Sequence, residues 1–180
     1  VVTALGFCSV EQVTAALSEQ QGVPWVGQVD PEIRRDLIGL VPRAICKEFN
    51  IFPIDRQANG LVLVGARSPI DIVVTHMLRR MLDLEVQTFI VHDELFSTRF
   101  EAYLEADQSG QEEERYCRRD VGELCHQVLE VARRHRASFM KCFFYTHTLW
   151  TRVERRRAIP MDLFLRVPEE VAGPDRQRLP

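Results

Sequence analysis

Lysine is nearly missing from this chain. Lys47 and Lys141 are the two in 180 residues, and the rest of the 23 basic side chains are arginine. Genome composition produces such a bias as readily as phosphate recognition does, so it identifies no ligand. No apolar run approaches the ~20 residues of a membrane-spanning helix. There is no GxxxxGK[ST] loop and no GxGxxG, so no phosphate cradle is encoded. GxSxG and HExxH are absent as well. Cysteine is sparse and odd in number: Cys8, Cys46, Cys117, Cys125 and Cys142, with no CxxC spacing. That argues against a disulfide framework or a structural zinc site, and leads us to expect free, mostly buried thiols in a reducing cytosol. The first residues carry no basic segment and no cleavage pattern, so they do not read as a signal peptide. The absence of a starting Met points to a piece of a longer chain.

What is present is a core-forming composition. Hydrophobic residues make up 46% and charged residues 27%, which is neither disordered nor membrane-like. The length suits one ordinary domain or two small ones. The formal net charge of -3 is unevenly spread. Residues 1–110 are net -6 and residues 111–180 net +3. Two units with different surfaces follow from that shift.

Periodicity supplies the elements. Ser9 and Gln12 form a capping box ahead of a helix lined by Val10, Val13, Ala16 and Leu17, and Gly22 with Pro24 ends it. Trp25–Gly27 reads as a short extended link. Asp30-Pro31 starts a second helix with Ile33, Leu37, Leu40 and Val41 on one face. Pro42 opens a third, through Ile45 to Phe49. The period then shortens. Ile51–Ile54 and Leu61–Val64 flank an Asn59-Gly60 turn, a hairpin signal. Ser68-Pro69 opens a helix with Ile70, Val73, Val74, Met77, Leu78, Met81 and Leu82 inward. Residues 85–91 are β-rich, and Asp93 caps a helix carrying Leu95, Phe96, Phe100, Tyr103 and Leu104. The polar stretch 107–114 reads as a linker. Beyond it, Val121, Leu124, Cys125, Val128, Leu129 and Ala132 stripe a helix reaching about Ser138. Strands follow at Phe143–Val153 and Met161–Val167, with a frayed end at Pro174–Pro180. The expected fold is α/β (α+β): short N-terminal helices, a ββαβα unit, a linker, and a second small α/β segment. The domains are 1–106 and 115–180.

Few residues carry chemistry. The five histidines show no ligand-pair spacing, so each is read as structural or surface. Cys125 and His126 are adjacent and point to different helix faces. Glu112-Glu113-Glu114 is read as solvated linker rather than a metal cluster. Arg155-Arg156-Arg157 is read as a charged turn between strands, with nucleic-acid binding the weaker reading. No catalytic residue and no metal site is assigned.

The residues also resemble a known family. Gly6-Phe7-Cys8-Ser9-Val10-Glu11-Gln12-Val13-Thr14-Ala15-Ala16-Leu17-Ser18-Glu19-Gln20 is similar to the start of the N-terminal domain of type II secretion and type IV pilus assembly ATPases. So are Leu40-Val41-Pro42-Arg43-Ala44-Ile45-Cys46, Phe49–Ile54, Leu61–Ala66 and Ser68–Asp71, in that order. The resemblance covers about residues 5–105. After residue 115 the chain resembles the start of the next ATPase domain: Ala137-Ser138 stands at the end of a matching helix, and strands fit at Leu149–Val153 and Met161–Val167. There, Phe139-Met140-Lys141 replaces an Asp-Ile-His and Arg155-Arg156-Arg157 replaces an Asp-Gly turn. Arg152 aligns with a family arginine.

The resemblance implies a non-catalytic region that docks a cytoplasmic motor to an inner-membrane platform partner. It would be peripheral at that membrane, monomeric as a piece and hexameric in a full-length ATPase. ATP would bind only with a motor domain. The alternative it implies is cyclic di-GMP sensing, in an assembly ATPase or a membrane glycosyltransferase. Gly6, Cys8, Val13, Leu17 and Gln20 fall on the second half of the family's cyclic di-GMP motif, whose Arg-Leu-Gly would precede residue 1. The plain reading of Val13 and Leu17 is helix packing, and of Gln20 a polar helix end.

Overall fold

A computed structural model describes residues 6–27, 33–106, 112–117 and 120–167. The chain divides into two compact units, Val1–Ser109 and Gly110–Pro180.

In unit 1, helix α1 spans Val10–Gln21. The Gln12 amide donates to Ser9 Oγ at 3.1 Å, and the Ser9 amide donates to Gln12 Oε1 at 2.8 Å. These two bonds satisfy donors that a helix start leaves open. Gly22 closes the helix at φ 64°, in the left-handed region that glycine occupies without strain. Trp25–Val26 is not a mere link: it is strand β1, paired in parallel with β4 (Val86–Val91). Among the described residues the expected second helix does not form. Residues 35–40 are turns, because Gly39 at φ 77° breaks the helical path. Leu37 and Val41 are buried nonetheless. The Asp30-Pro31 start signal lies outside the described residues.

Helix α2 (Arg43–Phe49) follows Pro42 and ends at Asn50, φ 49°. Strands β2 (Ile51–Arg56) and β3 (Val62–Ala66) form the expected hairpin. Helix α3 (Ile72–Leu82) crosses from β3 to the parallel β4. Its cap is Asp71, whose Oδ1 accepts the Val73 amide at 2.8 Å, so the helix starts later than Ser68-Pro69 signals. Met77, Leu78 and Met81 are buried, whereas Ile72 and Val73 are exposed. Helix α4 (Asp93–Glu105) is capped by His92 rather than Asp93: His92 Nδ1 accepts the Leu95 amide. The sheet order is β1-β4-β3-β2. Phe52 of β2 meets Phe96 of α4 edge to face, with centroids 5.4 Å apart. The Tyr103 hydroxyl donates toward the carbonyls of Val41 (3.0 Å) and Leu37 (3.3 Å), and burial pushes its pKa up.

In unit 2, Glu112-Glu113-Glu114 is not linker. It opens strand β5 (Glu112–Cys117), which pairs in parallel with β8 (Met161–Arg166). Residues 107–111 lie outside the described residues. Each glutamate has a partner: Glu112 takes Arg155 at 2.9 Å, Glu113 takes Arg115, and Glu114 accepts from the Tyr116 hydroxyl at 2.8 Å. Pairing of this kind lets an acidic run sit in a sheet. Helix α5 (Val121–Arg134) begins at Asp120, which accepts the Glu123 amide at 2.9 Å. The helix stops four residues before Ser138. Arg136 turns at φ 50°, and strand β6 occupies Ala137–Tyr145. The run expected as one strand from Phe143 to Val153 is broken at Thr146, φ 46°, and resumes as β7 (Thr148–Arg155). The sheet order is β5-β8-β7-β6. Leu124, Val128 and Val131 pack with Val153, Met161, Leu163 and Leu165. The stripe is therefore rotated from the one expected: Cys125 and Leu129 are exposed. The charged turn at Arg155-Arg156-Arg157 is present, with Arg157 at φ 58°. The frayed end expected at Pro174–Pro180 lies outside the described residues.

Of the five cysteines, Cys46 is buried and the other four are exposed, and none forms a disulfide. The expectation of mostly buried thiols fails: Cys125 lies on the outer side of α5, and Cys142, although it meets the buried Thr151 across the sheet, lies on the edge strand β6, where nothing described covers it.

Candidate functional site

Two groups of residues stand out, one in each unit. The first is helix α1 with its flanks. The helix packs on β1 and β4, and its buried residue is Thr14. Val13 is half-buried. Leu17 is 38% exposed, and Phe7 and Trp25 are 76% and 36% exposed. Gln20 and Cys8 are exposed too, and Gly6 is exposed at φ 72°. The packing reading of Leu17 is thereby corrected. One turn of helix turned Thr14 inward and left Leu17 outward, against the side expected from apolar spacing. The residues of the half-motif thus lie on one short stretch: Gly6 and Cys8 before the cap, Leu17 and Gln20 on the solvent side. Apolar side chains held in water beside polar ones are the chemistry of a contact surface.

The second group lies within the sheet of unit 2. Asp162 is buried on β8 and accepts from Trp150 Nε1 at 2.8 Å. Arg152, opposite it across the strands, stands 3.3 Å from Asp162 Oδ2. Trp150 stacks on Phe164 with centroids 5.9 Å apart. Burial raises the Asp162 pKa to about 6, with Arg152 and the Trp150 hydrogen bond opposing and Glu113 adding to the rise. The site is closed by its own partners, which makes it an internal tie rather than a reaction centre. Its sequence signal is one carboxylate inside the apolar run Met161-Asp162-Leu163-Phe164-Leu165, which periodicity alone does not mark as a site. Arg152, aligned above with a family arginine, spends its charge on Asp162.

Among the described residues, no group of three His, Cys, Asp or Glu is placed to hold a metal ion. No described helix is long and apolar enough to cross a membrane.

The family model of the MshEN domain matches residues 21–110. The chain belongs to the MshEN domain family. The match runs from the last residue of α1 through α4, so the half-motif of Gly6 to Gln20 precedes it. Two curated proteins are similar over 86 residues at 33% identity: bacteriophage adsorption protein B of Escherichia coli (strain K12) and bacteriophage N4 adsorption protein B of Escherichia coli O157:H7. The similar stretch is 48% of this chain and 11% of each relative, so the chain spans about a tenth of their length. Among solved structures, MshE with cdg aligns at 20% identity over 57% of this chain and 73% of that one, with a TM-score of 0.46. The N-terminal domain of XpsE aligns at 18% identity over 56% of this chain and 70% of that one, with TM-scores of 0.39 and 0.41 in two crystal forms. An MshEN domain is a regulatory or interaction domain, not a catalytic one.

Proposed function

We propose that this chain is a docking and regulatory region of a larger bacterial protein, and that the outer face of α1 is the surface its partner reads. The observation that carries the reading is the exposure of Leu17, together with Phe7 and Trp25, on a helix whose packing is done by Thr14. The partner proposed is the cytoplasmic part of an inner-membrane secretion or pilus platform protein, which places the region at the membrane without inserting into it. Calorimetric titration with that domain from the same genome tests the reading. Saturable binding is expected, and Leu17→Glu weakens it at least about tenfold while leaving the fold intact. Binding that ignores Leu17→Glu, or no binding at all, overturns it.

A second reading, a sensor of cyclic di-GMP, is favoured by one observation. Gly6, Leu17 and Gln20 all face solvent, at positions that the resemblance assigns to the ligand. Titration of a version extended upstream of residue 1 decides it. Gln20→Ala should reduce cyclic di-GMP affinity and leave the protein partner's affinity unchanged. Equal cyclic di-GMP affinity with and without Gln20→Ala counts against the sensor.

A further inference from the structure

Strand β6 is the edge of the second sheet, and no described residue pairs with its outer side. The outer side of an edge strand is a template on which another strand can pair. It is long, Ala137–Tyr145, and carries one charge, Lys141, which its own Glu154 meets at 3.2 Å. Two phenylalanines are held in solvent on it, Phe139 at 56% and Phe144 at 53% exposed. Beside its first half runs a groove of about 350 Å³ between β6 and the outer side of α5, lined by Leu129, Ala132, Arg133, Arg136 and Met140 among others.

We propose that β6 pairs antiparallel with β6 of a second copy, about a two-fold axis at Cys142. The register follows from the side chains. Antiparallel pairing centred on Cys142 sets Met140 opposite Phe144 of the other copy. Both lie on the side of the sheet that faces α5, since Met140 packs on that core and residues two apart share a face. Phe144 of each copy therefore arrives beside Met140, over the groove that Leu129 and Ala132 line. One strand supplies both the exposed ring and the apolar recess, which is the self-complementarity an isologous interface requires. On the other side of the sheet, Phe139 falls opposite Tyr145 and Lys141 opposite Phe143, so no like charges oppose each other. A register centred on Lys141 would place two ammonium groups face to face. A foreign strand would have to bring an aromatic residue at the same position, whereas a second copy carries it already. The pairing would join two four-stranded sheets into one of eight strands.

Sedimentation equilibrium of the whole chain over a concentration series tests the pairing. A reversible monomer–dimer equilibrium is expected. Phe144→Lys should weaken it at least about tenfold, with unchanged circular dichroism because Phe144 is exposed. A monomer throughout the series, or a dimer that Phe144→Lys leaves intact, overturns the proposal. The register has its own readout. Opposed residues of antiparallel strands have Cα atoms ~4.5–5.5 Å apart, within disulfide range. Diamide should therefore oxidise the two Cys142 thiols to one disulfide, itself reduced to the hydrazine. Peptide mapping should find the Cys142–Cys142 link, and Cys142→Ser should lose it. A dimer cross-linked only through Cys8, Cys117 or Cys125 overturns the register.

Discussion

Each unit folds a four-stranded mixed sheet, but the two fill their strands differently. In unit 1, Ile51, Phe52 and Pro53 are buried in succession, as are Val64, Gly65 and Ala66. Successive strand residues face opposite ways, so both faces there are apolar. The packing is close: a Cβ on Gly65 would lie 2.9 Å from both Ile54 Cδ1 and Val91 Cγ2. In unit 2, β8 is buried over Met161–Leu165 in the same unbroken manner. Yet one of its faces meets α5 with Met161, Leu163 and Leu165, and the other holds a carboxylate, Asp162, between a tryptophan and an arginine. A continuous apolar run marks a strand covered on both sides. The exception inside the run marks where polar groups must satisfy one another.

The contrast can be broken at its strongest point by Trp150→Ala. Losing a fully buried ring together with the donor to Asp162 should cost unit 2 about 3–5 kcal/mol, read by urea unfolding and by faster amide exchange in β7 and β8. A smaller effect comes from pH. The folded Asp162 carboxyl titrates near pH 6, the unfolded one near ~3.9. Between these values the folded chain holds a proton that the unfolded chain releases, so stability falls as pH rises through 6. Acidifying from pH ~7 to ~4 should stabilise unit 2 by about 2 kcal/mol through this group. Asp162→Asn should remove that increment, and an unchanged pH dependence in the variant would contradict the assignment. The smallest expected change is in unit 1. Ser9→Ala removes one side of the capping box and should cost about 1 kcal/mol, seen as faster exchange in the first turn of α1.

Much of unit 1 was legible because its signals are local. The capping box at Ser9 and Gln12, the Asn59-Gly60 turn and the apolar period of Met77, Leu78 and Met81 each depend on neighbours in sequence. The failures have physical causes of equal clarity. Gly39 at φ 77° cuts a helix whose apolar spacing was sound. Glu112-Glu113-Glu114 looked like solvent-facing chain because its neutralising partners, Arg155 among them, come from distant positions. The end of α5 was placed late because Arg136 adopts φ 50°, a conformation that arginine's own preferences do not announce. At the candidate site, the exposure of Leu17 and Gln20 was not legible in the sequence. The choice between Thr14 and Leu17 as the inward residue of α1 is made by the sheet beneath it.

Strand β5 opens unit 2, and its hydrogen-bonding neighbour is β8, the last strand among the described residues. Protein synthesis is directional, and this arrangement makes the unit's assembly depend on it. At roughly 5–20 residues per second, β5 leaves the ribosome seconds before Met161–Arg166 exists to receive it. Helix α5 and the β6–β7 hairpin can form meanwhile from contacts close in sequence. Glu112, Glu113 and Glu114 keep the waiting strand charged, and so disinclined to pair with a neighbouring nascent chain, until β8 arrives and joins it to the sheet along one side.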